Sequence, residues 1–533
     1  MFSKRKKRIK YLRSVWGKEI EKYRNFDLIS AFHNLKIDSG DRDEETFVDE
    51  KTWSDLDFDS LFEKLDGNVS GIGQQYLYHI LKKYEKSEKK LKKRFELFSA
   101  MKGNQTLRES VQLNLFGLAG VSSYFIAYLL YGKSLPFTKY YPVFFVFSAL
   151  SIISLILIAA NGVFLFIALA VLLINLIVHK IFSKKIYEYF TGFSAFNSLI
   201  GSAVAVSKIK STNNVDEIVF LKKKKNLLVS LRKKLGYLVV NKEQLNDLAL
   251  IAIEYMNMFM LFDVIAYYRS VNALLKNREY LRAVFEAVAS LDAAVSVASY
   301  LEGNPDYCNP VFDDSDEISF TNLRHPLIEN AVPNTLENIS GSVLITGSNM
   351  SGKTTFIKTV GINALLSQTL YFCLAEKFKT PKMYVQSAIR RDGNLEEGKS
   401  YFFAEIERIK DFMKLSESDD KYLFLIDEIF RGTNTIERLA ASTAVLKYLG
   451  RKNKVFVTTH DVELQELLKE SFSMHHFSEQ IEGDEFYFNY KIKSGPCSSG
   501  NAIKLLEIMN YPKSVIDEAN FRADKLLSNN SIL

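Results

Sequence analysis

Residues 342–355 read SVLITGSNMSGKTT, and this stretch decides the fold of the C-terminal part of the chain. The aliphatic run VLI at 343–345 is typical of a buried strand, and the apolar spacing that follows the stretch is typical of a helix. Between them, residues 347–354 fit the pattern G-x-x-x-x-G-K-[ST] at every fixed position. A glycine loop between a strand and a helix is the context in which this pattern binds nucleotide phosphates.

The chemistry of the loop follows from that geometry. Gly347 and Gly352 let the backbone wrap around a polyphosphate, while N–H groups at the start of the helix point at the anion. We expect Lys353 to reach the β- and γ-phosphates and the hydroxyl of Thr354 to bind Mg²⁺. The residues expected to contact a bound triphosphate here are Gly347, Ser348, Asn349, Met350, Ser351, Gly352, Lys353, Thr354 and Thr355.

Two carboxylates follow a second apolar strand, in the sequence KYLFLIDE at 421–428. Phosphoryl transfer needs one acid near the metal and one that polarises water, so we assign these roles to Asp427 and Glu428. A third strand, VFVTT at 455–459, leads into His460. A lone histidine is often structural, but a position at a strand end favours a catalytic role that senses the γ-phosphate.

The amino-acid composition limits the kinds of partner that the protein could bind but does not identify one. The chain has 533 residues and a net charge of +7, from 69 basic and 62 acidic residues, which suits an anionic partner such as nucleic acid or a membrane surface. Cys308, Cys373 and Cys497 are too widely spaced for a metal or disulfide pattern. The basic start of the chain is not followed by an apolar run, so we expect no signal peptide.

Two charge-free runs, 141–160 and 163–178, are separated only by Asn161 and Gly162. Each is close to the length of about 20 residues that spans a bilayer, and Asn-Gly favours a tight turn. We therefore predict a transmembrane helical hairpin over 141–179; a buried helical pair in a soluble core is the alternative. The segment 113–131 is more polar and is predicted to be a packed or interfacial helix, so two spans are favoured over three.

The remaining patterns predict a chain of mixed class, helical first and α/β afterwards. We expect a basic N-terminal segment (1–50), a helical core in two parts (51–140 and 180–315) on either side of the hairpin, and an ATPase domain over 316–533. The basic cluster in residues 4–13 either contacts an anionic partner or forms a solvated helix face. In the last domain, strands are predicted at 342–346, 422–427, 454–458 and 485–493.

The motifs GSNMSGKTT, LIDEIFRGTNTIER and VTTHD, in this order, resemble the nucleotide-binding domain of the MutS mismatch-repair family. The segments LRHPLIE at 323–329 and GKSYFFAE at 398–405 resemble two further signatures of that domain. The resemblance covers about 320–525 specifically, and only suggests the family's core and lever helices at 50–110 and 180–310. It implies an ABC-type P-loop ATPase that uses ATP and Mg²⁺.

The resemblance also implies roles and partners that the residues alone do not give. Ser400 would reach across a homodimer to the partner's γ-phosphate, Asn349 would sense the nucleotide state, and residues 431–434 would lie at the dimer seam. DNA is the implied partner. The chain departs from the family at Ala331, where an adenine-stacking aromatic is expected, and only about fifty residues precede the helical core, too few for a mismatch-reading domain.

These observations support a membrane-anchored MutS-like ATPase with composite ATP sites in a homodimer. Basic residues on both sides of 141–179 place the N-terminal region and the ATPase domain in the cytoplasm, at the inner membrane. The alternative is a membrane ATPase scaffold or transport-like component that does not bind DNA. A soluble mismatch sensor is disfavoured because the expected reader domain has no counterpart.

Overall fold

The computed structural model describes residues 2–38, 46–132, 135–210, 215–235, 247–313, 315–348, 350–389, 401–482, 485–497, 503, 506–507, 509 and 511–528. The chain forms two compact units. The first comprises 1–45, 65–80 and 96–303, and the second comprises 46–64, 81–95 and 304–533.

The part of the chain before residue 304 is helical. Its helices are α1 (Phe2–Val15), α2 (Phe26–Asp38), α3 (Glu50–Asp55), α4 (Phe58–Leu65), α5 (Gly71–Lys82), α6 (Glu88–Gly103), α7 (Gln105–Leu115), α8 (Phe125–Tyr131), α9 (Pro142–Ile158), α10 (Phe164–Val206), α11 (Asp216–Lys223), α12 (Lys225–Leu235), α13 (Asp247–Met260), α14 (Phe262–Lys276) and α15 (Arg278–Gly303).

Helix α15 lies in the interior of the helical unit. It is apolar and long enough to cross a membrane. However, 83% of its most apolar stretch is buried inside the protein. Its one buried acid, Asp292, accepts hydrogen bonds from the backbone N–H groups of Val69 (3.1 Å) and Ser70 (2.8 Å) just before α5. Asp292 thereby holds the turn that leads into α5, and burial raises its pKa to about 6.

The two charge-free runs form α9 and the first part of α10, joined by residues 159–163. The buried face of α9 carries Ser148, Ser151 and Ser154, small residues that permit close helix packing. Its other face exposes large apolar side chains, and the window 164–183 of α10 is only 11% buried. Both predicted apolar runs are therefore helices with outward-facing apolar surfaces.

Two predictions about this region were wrong in detail. Helix α10 does not end near residue 178 but continues to Val206, because the pattern beyond the apolar run is also helical and packs within the unit. The segment 113–131 is not one helix: the end of α7 passes through 3₁₀ turns at Phe116–Leu118 and Val121–Tyr124 before α8 begins, with a bend of 91°.

Among the described residues, two unbroken helices, α10 and α15, are long and apolar enough to cross a membrane. Two bent pairs would add to them if each formed one span: α7 with α8, and α13 with α14, which is bent by 70° at Leu261. The bend has a local cause, since Leu261 adopts a left-handed conformation with φ 53°.

The second unit is the predicted α/β domain. Its strands are β1 (Val311–Phe312), β2 (Ile318–Leu323), β3 (Asn334–Ile339), β4 (Ser342–Thr346), β5 (Lys377–Thr380), β6 (Tyr384–Ala388), β7 (Tyr422–Asp427), β8 (Lys454–Thr459), β9 (Phe472–His476), β10 (Glu479–Glu482), β11 (Glu485–Phe488) and β12 (Lys493–Ser494). Its later helices are α16 (Lys353–Thr369), α17 (Tyr401–Leu415), α18 (Thr435–Leu449), α19 (Glu463–Leu468) and α20 (Lys513–Ser528).

The main sheet has the order β12-β9-β4-β8-β7-β6, parallel except at β12. Strand β4 is wholly buried between β8 and β9, which explains its unbroken aliphatic sequence. The core around it includes Phe412, Phe424 and Val457. Since β4, β7 and β8 are neighbours and parallel, their carboxyl ends meet at one edge, where the predicted site residues follow.

The strand predictions at 342–346, 422–427 and 454–458 are confirmed. The prediction of one strand at 485–493 was wrong: β11 ends at Phe488 and β12 begins at Lys493. Asn334 explains the interruption, because its side chain donates to Tyr490 O (3.0 Å) and accepts from Ile492 N (2.8 Å). These bonds hold Tyr490 in a left-handed conformation that a regular strand does not permit.

Part of the region predicted as helical core belongs to the second, α/β unit instead. Helix α3 packs at the edge strand β6, where Asp55 accepts hydrogen bonds from Ser387 Oγ (2.8 Å) and Ile389 N (2.9 Å). These hydrogen bonds join residues 46–64 to the edge of the sheet. The second unit therefore combines segments from before and after residue 304. Helical periodicity in the sequence does not reveal which unit a helix joins.

Candidate nucleotide site

The glycine loop runs from β4 into α16 with the backbone conformations that its glycines permit. Gly347 has φ 145°, and a Cβ atom there would lie 2.6 Å from the carbonyl oxygen of Phe477. Gly352 has φ 103° and directly precedes α16. Both positions therefore require glycine, for conformation and, at Gly347, also for space. Asn349 lies outside the described residues.

The side chain of Lys353 folds back over the loop. Its ammonium group donates to the carbonyl oxygens of Gly347 (2.8 Å) and Ser348 (2.7 Å). Ser351 Oγ donates to Ser348 O (2.8 Å) and closes the loop further. Burial lowers the pKa of Lys353 to about 8, because a desolvated ammonium is costly. An anion in the loop would stabilise the charged form and raise this pKa again.

Hydroxyl and carboxylate oxygens converge beside this lysine. Thr354 Oγ1, at the start of α16, lies 3.0 Å and 3.2 Å from the two carboxylate oxygens of Asp427 at the end of β7. Thr458, on β8, donates to the same carboxylate. Burial raises the pKa of Asp427, a cost that a cation would remove.

This donor set fits Mg²⁺. The ion prefers oxygen ligands, keeps several waters and is usually bound by one or two protein groups together with substrate phosphates. The described residues hold no cluster of three or more His, Cys, Asp and Glu side chains suited to a metal, so an all-protein cage is not the arrangement found there. Thr354 and Asp427 would hold the ion from one side and leave the other for phosphate and water.

Glu428 is the second carboxylate, and both of its oxygens have partners. His460 Nε2 is hydrogen-bonded to Oε1, and Arg431 Nη1 lies 2.6 Å from Oε2. The hydrogen bond with His460 is the main cause that lowers the pKa of Glu428, so the group is a carboxylate at neutral pH. Glu428 has φ 53°, a strained conformation that is common at functional sites.

The loop after the carboxylates is tied to its surroundings. Glu405 Oε1 accepts from Phe430 N, and Asn434 caps α18 by accepting from Glu437 N at 3.0 Å. Gly432 packs tightly against Phe402, since a Cβ atom would lie 2.9 Å from that side chain. Ser400 lies outside the described residues.

A cavity of about 560 Å³ opens beside the loop. The loop residues Lys353, Thr354, Thr355 and Met350 and the carboxylate of Glu428 form part of its lining. The rest of its wall is mostly apolar or uncharged and consists of Leu323, His325, Ile328, Asn330, Ala331, Val332, Asn334, Gly352, Phe356, Thr359, Phe477 and Tyr490. The volume is typical of a small-ligand site with a few polar groups.

Two residues of the cavity wall had been given no individual role in the site by the sequence analysis. Tyr490 presents its ring to the cavity and lies 3.2 Å from the position that a Cβ of Gly352 would occupy. His325 is largely buried, and burial lowers its pKa to about 4, so its imidazole is neutral at pH 7. No local pattern marks Tyr490, because Asn334, far away in sequence, brings it to the cavity.

The structure thus brings together Lys353, Thr354, Asp427, Glu428 and His460, which lie on three separate stretches of the chain. Ser348 and Ser351 lie in the loop, and the buried hydroxyl of Ser348 has no hydrogen-bond partner among the residues that the structure describes. A buried hydroxyl in that position can donate to a bound anion.

Comparison with known proteins agrees with this geometry. Residues 343–527 match the family MutS domain V. The chain is 31% identical over 252 residues to the DNA mismatch repair protein MutS of Lactobacillus delbrueckii subsp. bulgaricus, covering 45% of this chain and 29% of that protein. It is 31% identical over 268 residues to MutS of Thermotoga maritima (48% and 33%) and 28% identical over 280 residues to MSH3 of Phaeosphaeria nodorum (49% and 24%). The chain therefore spans about a third or less of the length of these relatives.

Proposed function

We propose that this chain, which belongs to the MutS family through its residues 343–527, binds and hydrolyses ATP with Mg²⁺ at the site between β4, β7 and β8. The observation that carries the proposal is the convergence of Thr354, Asp427 and Glu428 beside the glycine loop. A phosphate loop, a metal carboxylate and a second, ionised carboxylate are the groups that hydrolysis of a phosphoanhydride requires.

Each residue has a role that follows from its position. Lys353 would exchange its loop carbonyls for β- and γ-phosphate oxygens, and Thr354 and Asp427 would hold Mg²⁺, which neutralises charge on the phosphates. Glu428 would orient a water and accept its proton, since it is ionised and lines the cavity. His460 would act as a positioning residue that holds Glu428 through their hydrogen bond.

The wall of the cavity supports a nucleoside triphosphate rather than free phosphate. Besides the charged groups, the wall is lined by uncharged residues and by the ring of Tyr490, which lies against Gly352. We propose that the ring of Tyr490 stacks on one face of the base. Ala331 has no aromatic ring and cannot make such a contact. The position of Ala331 in the same wall leaves the other face of the base less covered.

Exposed apolar residues around the site support a homodimer with composite ATP sites. Met350 is 83% exposed and Ile436 is 82% exposed, and Phe403 and Val462 are also more than half exposed. Apolar side chains grouped around a charged site are typical of a surface that a partner covers. A second copy that docks there would bring its own Ser400 to the γ-phosphate.

Mixing two inactive variants tests this arrangement. Lys353→Ala and Ser400→Ala should each lower ATP hydrolysis strongly. In an equal mixture half of the dimers carry one intact site of two, so about a quarter of the wild-type rate should return. A mixture as inactive as its components would contradict sites shared across a dimer.

We further propose that α9 and the start of α10 anchor the chain in a membrane. The support is the outward apolar surface of both helices, which continues onto α13 through Ile251, Tyr255 and Met256. By the distribution of basic residues, the N-terminal region and the ATPase unit would face the cytoplasm. The protein should stay in membranes washed with carbonate, and recovery in the supernatant would contradict the anchor.

DNA is the partner proposed from the likeness to proteins named for DNA mismatch repair. A second candidate, a membrane component driven by the ATPase without DNA, is favoured by one observation. At the break before Leu261, the carbonyl oxygen of Phe259 accepts from Asn175 Nδ2 (2.7 Å) and Ser151 Oγ (2.9 Å) of the hairpin. Broken helices with polar groups inside apolar bundles are typical of transport sites.

One experiment separates the two candidates. The ATPase rate of the full chain is measured with and without duplex, branched and mismatched DNA, at about 50 and about 200 mM salt. Stimulation and salt-dependent binding would support DNA as the partner. An ATPase rate that no DNA changes, with no salt-dependent binding, would favour the second candidate.

A further inference from the structure

The helical unit contains a basic cavity of about 680 Å³ that the proposed ATPase does not use. Five of the residues that line it are cationic: Lys4, Arg5, Arg8, Lys208 and Lys210. The others are uncharged: Ser110, Leu113, Asn114, Ala205 and Ile209. Three elements contribute, since these residues come from α1, from α7 and from the end of α10 with the residues after it.

Specific contacts fix the position of α1 beside α7. Leu12 is buried, and the guanidinium of Arg13 binds both carboxylate oxygens of Glu109, at 2.7 and 3.1 Å. The guanidinium of Arg108 lies 3.9 Å from the ring centre of Trp16, just after α1. Because α1 is held at this end, its basic first turns are placed over α7 instead of being free in solvent.

The cations of the cavity lack acidic neighbours. In the described part of the chain, none of the five forms an ion pair, and the cavity wall contains no carboxylate. Glu109, next to Ser110, is already engaged by Arg13 and by Gln105 at 2.7 Å. Arg8 is positioned by a ring instead, with its guanidinium 4.3 Å from the ring centre of Phe116. A concave cluster of unpaired cations is suited to a multiply charged anion.

We propose that this cavity binds a compact, soluble organic polyphosphate of the nucleotide class. The five lysine and arginine side chains can pair with several phosphate groups. The volume of the cavity also lies within the range of about 300–1,000 Å³ that is typical of small-ligand sites. The uncharged part of the ligand would lie against Leu113, Ala205 and Ile209, where Asn114 and Ser110 offer hydrogen bonds.

The position along α10 argues against a lipid headgroup of the membrane that the hairpin would enter. The apolar window of α10 ends at Ser183, and the helix continues to Val206. At about 1.5 Å per residue, these 23 residues carry the chain about 35 Å along the helix, several times the depth of a headgroup layer. A nucleic-acid duplex is less suited than a small anion, because it is usually bound by cations spread over a wider surface.

The test uses the full-length protein in detergent, with its ATP site filled by one equivalent of magnesium and of a non-hydrolysable ATP analogue per chain, so that no excess nucleotide competes for the basic cavity. Inorganic tripolyphosphate and guanosine 5′-tetraphosphate are titrated calorimetrically. We expect one site per chain in addition to the filled ATP site. The double variant Lys208→Ala/Lys210→Ala should weaken both ligands at least about tenfold, since each charged hydrogen bond lost accounts for roughly a factor of ten.

A matched control removes the same charge from the same region. Lys6 and Lys7 are exposed on α1 but do not line the cavity, so Lys6→Ala/Lys7→Ala should change the affinity by less than about twofold. Unchanged circular dichroism and ATPase rate in both variants would show that folding is intact. Equal losses in both variants would mean attraction to net charge only and would overturn the proposal.

Two further binding measurements test whether the cavity takes a different class of ligand. A duplex oligonucleotide and vesicles containing phosphatidylglycerol are tested with the same variants. Binding of either one that depends on Lys208 and Lys210, without competition by tripolyphosphate, would overturn the proposal in favour of that ligand. Absence of any binding of tripolyphosphate and guanosine tetraphosphate would also overturn it.

Discussion

Replacing Glu428 with glutamine removes the proposed base and preserves the size of the side chain. In the structure, His460 holds one carboxylate oxygen and Arg431 donates to the other at 2.6 Å. The pKa of Glu428 is lowered mainly by the bond with His460, so the wild-type group can accept a proton from water at pH 7. An amide cannot accept that proton, although it can still occupy the same place.

The expected loss follows from the role of a general base. Such groups contribute about 10²- to 10⁴-fold to a rate, which corresponds to about 3 to 5 kcal/mol of activation free energy. ATP affinity should change by less than about threefold, because Lys353, Thr354 and Asp427 keep their positions and account for the phosphate and metal contacts. The variant should therefore bind ATP and turn it over very slowly.

Single-turnover hydrolysis and equilibrium binding of a fluorescent ATP analogue would measure the two effects separately. Glu417→Gln is the matched control, since Glu417 is an exposed acid of the same unit that does not line the cavity, and its rate should be that of the wild type. Turnover by Glu428→Gln within about threefold of the wild type would refute the assignment of Glu428 as the base.

Three further changes test the site. Tyr490→Ala should raise the KM for ATP about tenfold and Tyr490→Phe less than about twofold, since the ring supplies the contact; equal effects would show that the hydroxyl matters instead. The Kd for ATP should be constant below pH 7 and rise by up to about tenfold per pH unit above pH 8, because Lys353, whose pKa burial lowers to about 8, must be protonated to bind phosphate; a Kd independent of pH to 9.5 would contradict this. Gly347→Ala should abolish ATP binding, because its Cβ would lie 2.6 Å from Phe477 O, and unchanged affinity would show that the loop can move there.

Much of the site could be predicted because its chemistry is local in sequence. The loop at 347–354 is continuous, and its glycines, lysine and threonine have fixed spacing, so the strand, the turn and the helix were all foreseen. Asp427, Glu428 and His460 could be placed because each follows an apolar strand, and parallel strands end at one edge. The apolar helices of the hairpin were recognised because their charge-free length is itself the signal.

Other parts depended on contacts between distant residues. The backbone of Tyr490 is held beside the cavity by Asn334, more than a hundred positions away. Helix α3 joins the α/β unit through contacts with the end of β6, including those of Thr52 and Asp55. The continuation of α10 beyond residue 178 and the break at Leu261 likewise depend on packing within the helical unit.

The sequence by itself determined that a strand, a phosphate-binding loop and a helix form at 342–369, because backbone conformation there depends on residues adjacent in the chain. Only the tertiary structure decided what surrounds that loop. It brought Thr354 within 3.0 Å of Asp427, joined His460 to Glu428 and placed Tyr490 over the cavity. The physical reason is that hydrogen bonds and burial act over a few ångströms in space, whatever the separation of the partners along the chain.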